Sequence, residues 1–233
     1  MVRSASLAAS LSPSRLALFG YAHVPWFKTH QRLIDGATLP GAGERLEQAA
    51  AATAALVAEG YQVIGLDHFA RPDDPMAVAA REGTLRRNFQ GYTTDVADAL
   101  VGLGASSIGR TPEGFLQNAP DVGAWRRAVE AGQLSVARGC VVTQDDVLRG
   151  SVIERLMCDF AVDFGALAEA ACGEAHALDD AIGDLEGLQR DGVLELRGRA
   201  LRLTDKGRPF MRLAAAAFDV YLRAGKGRHS VAV

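Results

Sequence analysis

Residues 61–69 read YQVIGLDHF, an apolar, β-branched and aromatic run of strand length that ends on a carboxylate and an imidazole. It follows residues 43–59, GERLEQAAAATAALVAE, where apolar side chains recur at three and four and Gly60 stands behind as a terminator, so this stretch predicts a helix. A second apolar run, LALFGYAHV at 16–24, precedes the helix. Strand, loop, helix, strand is the order of a crossover unit, and it predicts that the two strands run parallel in an α/β fold. His23 and Trp26 then fall at the C-terminal end of the first strand, where such sheets carry ligands. Asp67 and His68 end the second and are a candidate proton-transfer pair, although neighbouring strand residues point to opposite faces.

Downstream, residues 83–109 read GTLRRNFQGYTTDVADALVGLGASSIG. Arginines, an amide, a tyrosine, threonines and glycines gather here between apolar runs, the texture of a ligand-facing loop held by a scaffold. Residues 75–81 predict a short helix, 83–94 a loop, and 100–109 a third strand. Beyond residue 112 the pattern turns helical: 124–131 and the acidic-headed 145–160 predict helices, as does 177–190. Residues 191–208, DGVLELRGRALRLTDKGR, alternate as a small hairpin around Arg197-Gly198-Arg199 before a helix at 209–222. Helices followed by a two-stranded wing and a further helix predict a winged-helix-like module. We therefore expect two domains, 1–118 and 119–233.

The composition is that of an ordinary globular chain: 233 residues, 48% hydrophobic, 23% charged, formal net charge −3. That charge, and Asp179, Asp180, Asp184 and Glu186 before the wing, argue against nucleic acid as a partner. The first fifteen residues are too polar for a secretory core and no run is apolar enough to predict a membrane span. Cys140, Cys158 and Cys172 fit neither a disulfide framework nor a compact metal motif, so a cytoplasmic protein with no metal site of its own is expected.

Taken in order, FGYAHVPW (19–26), HQRLIDGATLP (30–40), GYQVIGLDHFARPDD (60–74), RNFQGYTT (87–94), GLGASSIG (102–109) and VIERLMCDF (152–160) closely resemble the C-terminal half of the oxygen-independent coproporphyrinogen III oxidases. The resemblance runs from about residue 11 to the C-terminus. It implies the C-terminal part of a radical S-adenosylmethionine partial (β/α) barrel followed by a mainly helical, winged-helix-like domain. It also implies oxidative decarboxylation of two propionates of coproporphyrinogen III, giving protoporphyrinogen IX in haem biosynthesis. The cofactors so implied are S-adenosylmethionine and a 4Fe-4S cluster on a Cys-x3-Cys-x2-Cys loop. By motif, Ala22 and Ile108 match positions that contact S-adenosylmethionine, and Phe89 and Gln90 match active-site positions. The family's usual His-Arg before NFQGYTT is Arg86-Arg87 here.

No Cys-x3-Cys-x2-Cys occurs in the 233 residues, so the cluster's thiolates are not in this chain. The expectation is a C-terminal fragment, inactive and poorly soluble alone, that needs the N-terminal barrel half or a separate cluster-bearing chain. Two further readings use the same residues. A non-catalytic tetrapyrrole- or haem-binding protein would draw axial ligands from His23, His30 or His68. The wing arginines Arg197, Arg199 and Arg202 offer guanidinium partners to substrate carboxylates.

Overall fold

The chain, described here for residues 1–223 from a computed structural model, enters on α1 (Val2–Ser10) and β1 (Arg15–Ala17). The alanine-rich run forms α2 (Ala42–Ala58), followed by β2 (Gln62–Ile64) and β3 (His68–Ala70). Small residues let the two helices approach closely. Ala5 and Ala9 of α1 bury against Ala52 and Leu56 of α2, with Tyr61 and Phe69 completing the cluster. Phe69 alone, 1% exposed, is worth about 2–3 kcal/mol of transfer free energy. The Tyr61 hydroxyl donates to Pro13 O at 2.6 Å, and the Arg71 guanidinium stacks 4.1 Å over its ring.

The run 61–69 is not one strand. Gly65 at φ +59° turns it back on itself, so that β2 and β3 pair antiparallel with Ile64 opposite His68. β3 also pairs antiparallel with β1, giving the sheet order β1-β3-β2. β1 and β2 run parallel, as expected, but they do not pair, because β3 is inserted antiparallel between them. Only Gly accepts this turn, because the Tyr92 ring fills the space of a Cβ, which would lie 1.9 Å from it. The first strand is also shorter than expected. It stops at Ala17, and Ala22 and His23 lie on an irregular segment braced by a 3-10 turn at Thr29–Leu33.

Asp74 caps α3 (Pro75–Glu82), accepting from Met76 N at 2.7 Å, and Pro75 supplies a pre-set first-turn φ. The segment expected as a loop is a hairpin, β4 (Arg86–Asn88) and β5 (Gly91–Thr93), with Asn88 opposite Gly91. Its Tyr92 joins Ile64, Ala70, Met76, Ala77, Leu85 and Cys158 in a second core cluster.

By internal packing, residues 95–150 form a unit separate from 1–94 and 151–223. It holds β6 (Ile108–Thr111), β7 (Gly114–Asn118), α4 (Val122–Glu130) and β8 (Val136–Val141), the strands in an antiparallel order β6-β7-β8. The strand expected over 100–109 is instead a bridge at Leu100 to Arg110 followed by a loop with Gly104 and Ser106 at positive φ. The helix α5 (Gln144–Asp159) starts in this unit and continues beyond it.

The remainder adds β9 (Ala161–Asp163), α6 (Phe164–Cys172), α7 (Ile182–Arg190), β10 (Leu194–Arg197), β11 (Ala200–Leu203), α8 (Met211–Ala216) and α9 (Val220–Arg223). The predicted hairpin is present, but β9 adds a third strand in the order β10-β11-β9, and both β9 and α6 lie in a stretch the sequence reading left as polar linker. Phe164 and Phe218 meet edge to face at 5.3 Å in a core that buries Val152, Leu156, Leu178, Leu185, Leu194 and Met211. The helix expected over 209–222 breaks after Ala216. The expected domain 119–233 extends past residue 223, outside the described residues.

Candidate functional site

The hairpin β4–β5 presents Phe89 and Gln90 at its two turn positions. Both are exposed, Phe89 at 43%. The turn is built locally: Asn88 Oδ1 accepts from Gln90 N at 2.9 Å and Gly91 N at 3.3 Å. Its base is tied to α5, since Glu154 Oε1 accepts from Arg86 Nε at 3.1 Å and from Arg87 N at 2.9 Å. Arg155 donates to the carbonyls of Gly83 and Leu85 just upstream. A loop tip with an apolar ring and a free amide, on a base held this firmly, is a means of presenting side chains to a ligand.

Beside the turn stands a polar junction. The β2–β3 turn brings Asp67 Oδ1 within 2.7 Å of His68 Nδ1, so the two side chains meet after all. The opposite-face argument fails because Asp67 belongs to the turn and is outside either strand. The Tyr92 hydroxyl accepts from Leu66 N at 3.1 Å and donates to Met157 O at 3.0 Å, which locks the turn onto the core. Burial pushes that phenol up to about 12, against hydrogen bonding from Leu66 and the nearby Arg87 charge, which pull the other way. The imidazole packs edge-on to Tyr92 at 5.1 Å and to Phe19 at 5.9 Å. Arg212 of α8 reaches Asp67 Oδ2 at 3.3 Å.

Ala22 lies on the segment that continues from Phe19. Its carbonyl accepts from Gln31 Nε2 at 3.1 Å, and Gln31 Oε1 accepts from Val24 N at 2.6 Å. One buried amide thus holds the segment by both hydrogen-bonding edges, as a neighbouring strand would. Phe19, Tyr21, Trp26 and Phe27 are exposed along it. His23 is half-buried, with Nδ1 enclosed and without a hydrogen-bond partner among the described residues, and His30 is exposed.

Ile108, in the 95–150 unit, opens β6 at the end of a loop fixed by Asn118. Asn118 Nδ2 lies 3.1 Å from Gly102 O, 3.0 Å from Gly104 O and 3.0 Å from Ser107 Oγ. Gly102 and Gly109 allow backbone to pack on backbone there, where an added Cβ would come within 2.8 Å. The sequence reading missed Gln31, Asn118 and Arg212. Asn118 and Arg212 stand outside every quoted motif, and Gln31, inside HQRLIDGATLP, is one polar residue among several with nothing local to mark it.

Of the wing arginines, Arg199 is engaged by Asp179, with Nε 2.6 Å from Oδ1 and Nη2 on Oδ2. That hydrogen bond holds the Asp179 carboxyl below its ordinary value. Arg197 is exposed beside Glu195, and Arg202 is exposed on β11. The cysteines lie on separate elements: Cys140 on β8 and Cys172 at the end of α6, both exposed, and Cys158 buried in α5. No group of three metal-ligating side chains occurs among the described residues, so the residues present do not fit a 4Fe-4S cluster. No helix among them is long and apolar enough to cross a membrane.

Residues 142–210 match the HemN C-terminal domain family. The chain is 48% identical over 223 residues to the oxygen-independent coproporphyrinogen III oxidase of Bradyrhizobium diazoefficiens, an alignment covering 96% of this chain and 50% of that one. It is 38% identical over 218 residues to the Escherichia coli enzyme of the same name, covering 92% and 47%. The solved structure of coproporphyrinogen III oxidase from Escherichia coli, described as a radical SAM enzyme, superposes with a TM-score of 0.84 at 37% identity over 92% of this chain and 50% of that one. The chain spans about half the length of the curated relatives it matches.

Proposed function

The chain belongs with the C-terminal halves of the oxygen-independent coproporphyrinogen III oxidases, and from that premise we propose that it supplies the substrate-side half of a radical S-adenosylmethionine enzyme. The reaction is the oxygen-independent oxidative decarboxylation of coproporphyrinogen III to protoporphyrinogen IX in haem biosynthesis. The observation that carries this reading is the joint match of sequence and fold: 48% identity across nearly the whole chain, and a TM-score of 0.84 to the solved relative.

The roles divide by element. Ala22, on the segment clamped by Gln31, and Ile108, on the loop clamped by Asn118, contact S-adenosylmethionine through backbone and an apolar side chain. Phe89 and Gln90 give the substrate an apolar wall and a hydrogen-bonding amide. Residues 1–118 form the C-terminal part of the partial barrel and its ligand-side loops. In the rest, the order helix, strand, helix, helix, strand, strand from α5 to β11 supports a winged-helix-like module. A 4Fe-4S cluster would be held outside this chain and would supply one-electron reducing chemistry there. The thiolates for it come from outside this chain, from an N-terminal barrel half or a separate polypeptide.

The test is reconstitution. The chain is assayed anaerobically for protoporphyrinogen IX formation alone and after co-expression with the N-terminal half of the Bradyrhizobium diazoefficiens relative, its cluster rebuilt. No product from the chain alone and product from the pair is the expected result. A pair that assembles with an intact cluster and S-adenosylmethionine yet leaves coproporphyrinogen III unchanged refutes the proposal.

A further inference from the structure

Asp67 gives each carboxylate oxygen a different neighbour. Oδ1 lies 2.7 Å from His68 Nδ1 and Oδ2 lies 3.3 Å from Arg212 Nη2. Its main-chain carbonyl accepts from Leu18 N at 2.8 Å, at the start of the segment that leads to Ala22. An ionised carboxylate can only accept a hydrogen bond, so the proton between them sits on Nδ1. In the tautomer that this contact selects, with the proton on Nδ1, the lone pair is on Nε2.

The surroundings fix where that lone pair points. Phe19 and Tyr92 wall the ring edge to face. Gly91, immediately after the Phe89–Gln90 turn, lies against the far side of the imidazole. A Cβ there would come 2.9 Å from both Cε1 and Nε2, so the close approach requires glycine. No side chain or backbone group among the described residues hydrogen-bonds Nε2, and the His68 side chain stays 14% exposed. A ring with one nitrogen anchored by a carboxylate and the other bare beside an exposed turn is an acceptor held ready for a donor from outside the chain.

We propose that His68 is a ligand-contacting residue whose Nε2 accepts a hydrogen bond from an N–H donor of the molecule bound at the Phe89–Gln90 turn, and that Asp67 is the positioning residue that keeps that nitrogen bare. This deepens the proposed function and rests on it for the ligand: the donors of this kind on a porphyrinogen are its four pyrrole N–H groups. A porphyrin, oxidised and planar, replaces two of those with bare nitrogens. His68 therefore discriminates the reduced macrocycle from the oxidised one. Arg212 makes the arrangement depend on α8 as well as on the turn.

Two measurements on the 233-residue chain test this. Nitrogen-15 NMR at pH 7.5, with His68 assigned by comparison with His68→Gln, is expected to show Nδ1 protonated and Nε2 bare. In Asp67→Leu that preference is lost. Tryptophan-quenching titrations with coproporphyrinogen III under anaerobic conditions, and with coproporphyrin III, are then compared. His68→Phe keeps an aromatic wall but no acceptor, and is expected to weaken porphyrinogen binding about threefold to tenfold and erase the preference for the reduced form. His68→Gln, which retains an acceptor oxygen, recovers part of the loss. A proton on Nε2 in the unsubstituted chain, or a His68→Phe chain that binds as tightly, overturns the inference and leaves the proposed function standing. A chain with the bare Nε2 that binds neither macrocycle, alone or paired with the N-terminal half of the relative, refutes the proposed function, and with it the ligand named here.

Discussion

At the scale of single residues the fold depends on positions where a side chain would collide with a neighbour. Gly65 combines a φ of +59° with a Cβ position 1.9 Å from the Tyr92 ring. The Gly65→Ala substitution should cost about 3 kcal/mol from strain and overpacking, read as a lowered urea midpoint. Gly150 offers the matched contrast: it sits exposed within α5 with nothing near its Cβ position, so Gly150→Ala should stabilise by roughly 0.5–1 kcal/mol. Equal midpoint shifts of the same sign in the two variants would contradict this account. Thiol chemistry makes a second residue-level prediction. Burial pushes the Cys158 thiol from 9.0 up to about 12, whereas Cys140 and Cys172 are exposed. At pH 8 a disulfide-exchange reagent should therefore titrate Cys140 and Cys172 in the folded chain and reach Cys158 only after denaturant is added. Rapid labelling of Cys158 in the native state would show that α5 is not packed as described.

At the scale of elements, what the sequence disclosed tracks the length of each periodic run. The seventeen residues of α2 and the sixteen of α5 repeat their pattern often enough to be read directly. Strands of three residues do not. Whether 61–69 is one strand or two depends on Tyr92, whose hydroxyl meets Leu66 N across 26 residues of sequence. The stretch 161–176 hid β9 and α6 for the same reason, since β9 exists only by pairing with β11. Within the proposed site, the motifs single out Ala22, Phe89, Gln90 and Ile108 as candidates. Gln31 and Asn118, which brace the segments of Ala22 and Ile108, and Arg212, which reaches Asp67, carry no pattern that singles them out in the sequence. Gln31 allows a direct test of that supporting role. In Gln31→Leu, Ala22 O and Val24 N lose their partner, which should cost about 2 kcal/mol. The Val24 amide should exchange with solvent about tenfold faster or more while the interior amides of α2 keep their protection. Unchanged exchange at Val24 would mean that the segment is held by something other than this amide.

For the molecule as a whole, the pH dependence of stability turns on two buried acids that share one core. Tyr92 and Cys158 both belong to the cluster that joins the β4–β5 hairpin, α3 and α5. Burial holds each at about 12 in the folded chain, against 10.0 and 9.0 ordinarily. Well below pH 9 both states keep these protons and the cluster's full stability is present. Between pH 9 and 12 the unfolded chain releases protons that the folded chain retains, so stability falls as pH rises, by on the order of several kcal/mol for the two groups together. At the acid end the sign reverses through Asp74. Burial opposes ionisation of this carboxyl, but the hydrogen bond from Arg15, 2.8 Å away, and the backbone bond from Met76 outweigh it and set it below its ordinary value. Its contribution is present above about pH 4 and is lost as pH falls through the folded value. The alkaline limb separates cleanly by mutation. Cys158→Ala lowers stability at every pH by creating a small cavity, yet it removes one of the two acids that titrate. The drop in urea midpoint between pH 7 and pH 10.5 should therefore be markedly smaller in Cys158→Ala than in the unsubstituted chain. An identical drop in both would place the alkaline sensitivity elsewhere and show that Cys158 ionises as freely in the folded core as in the unfolded chain.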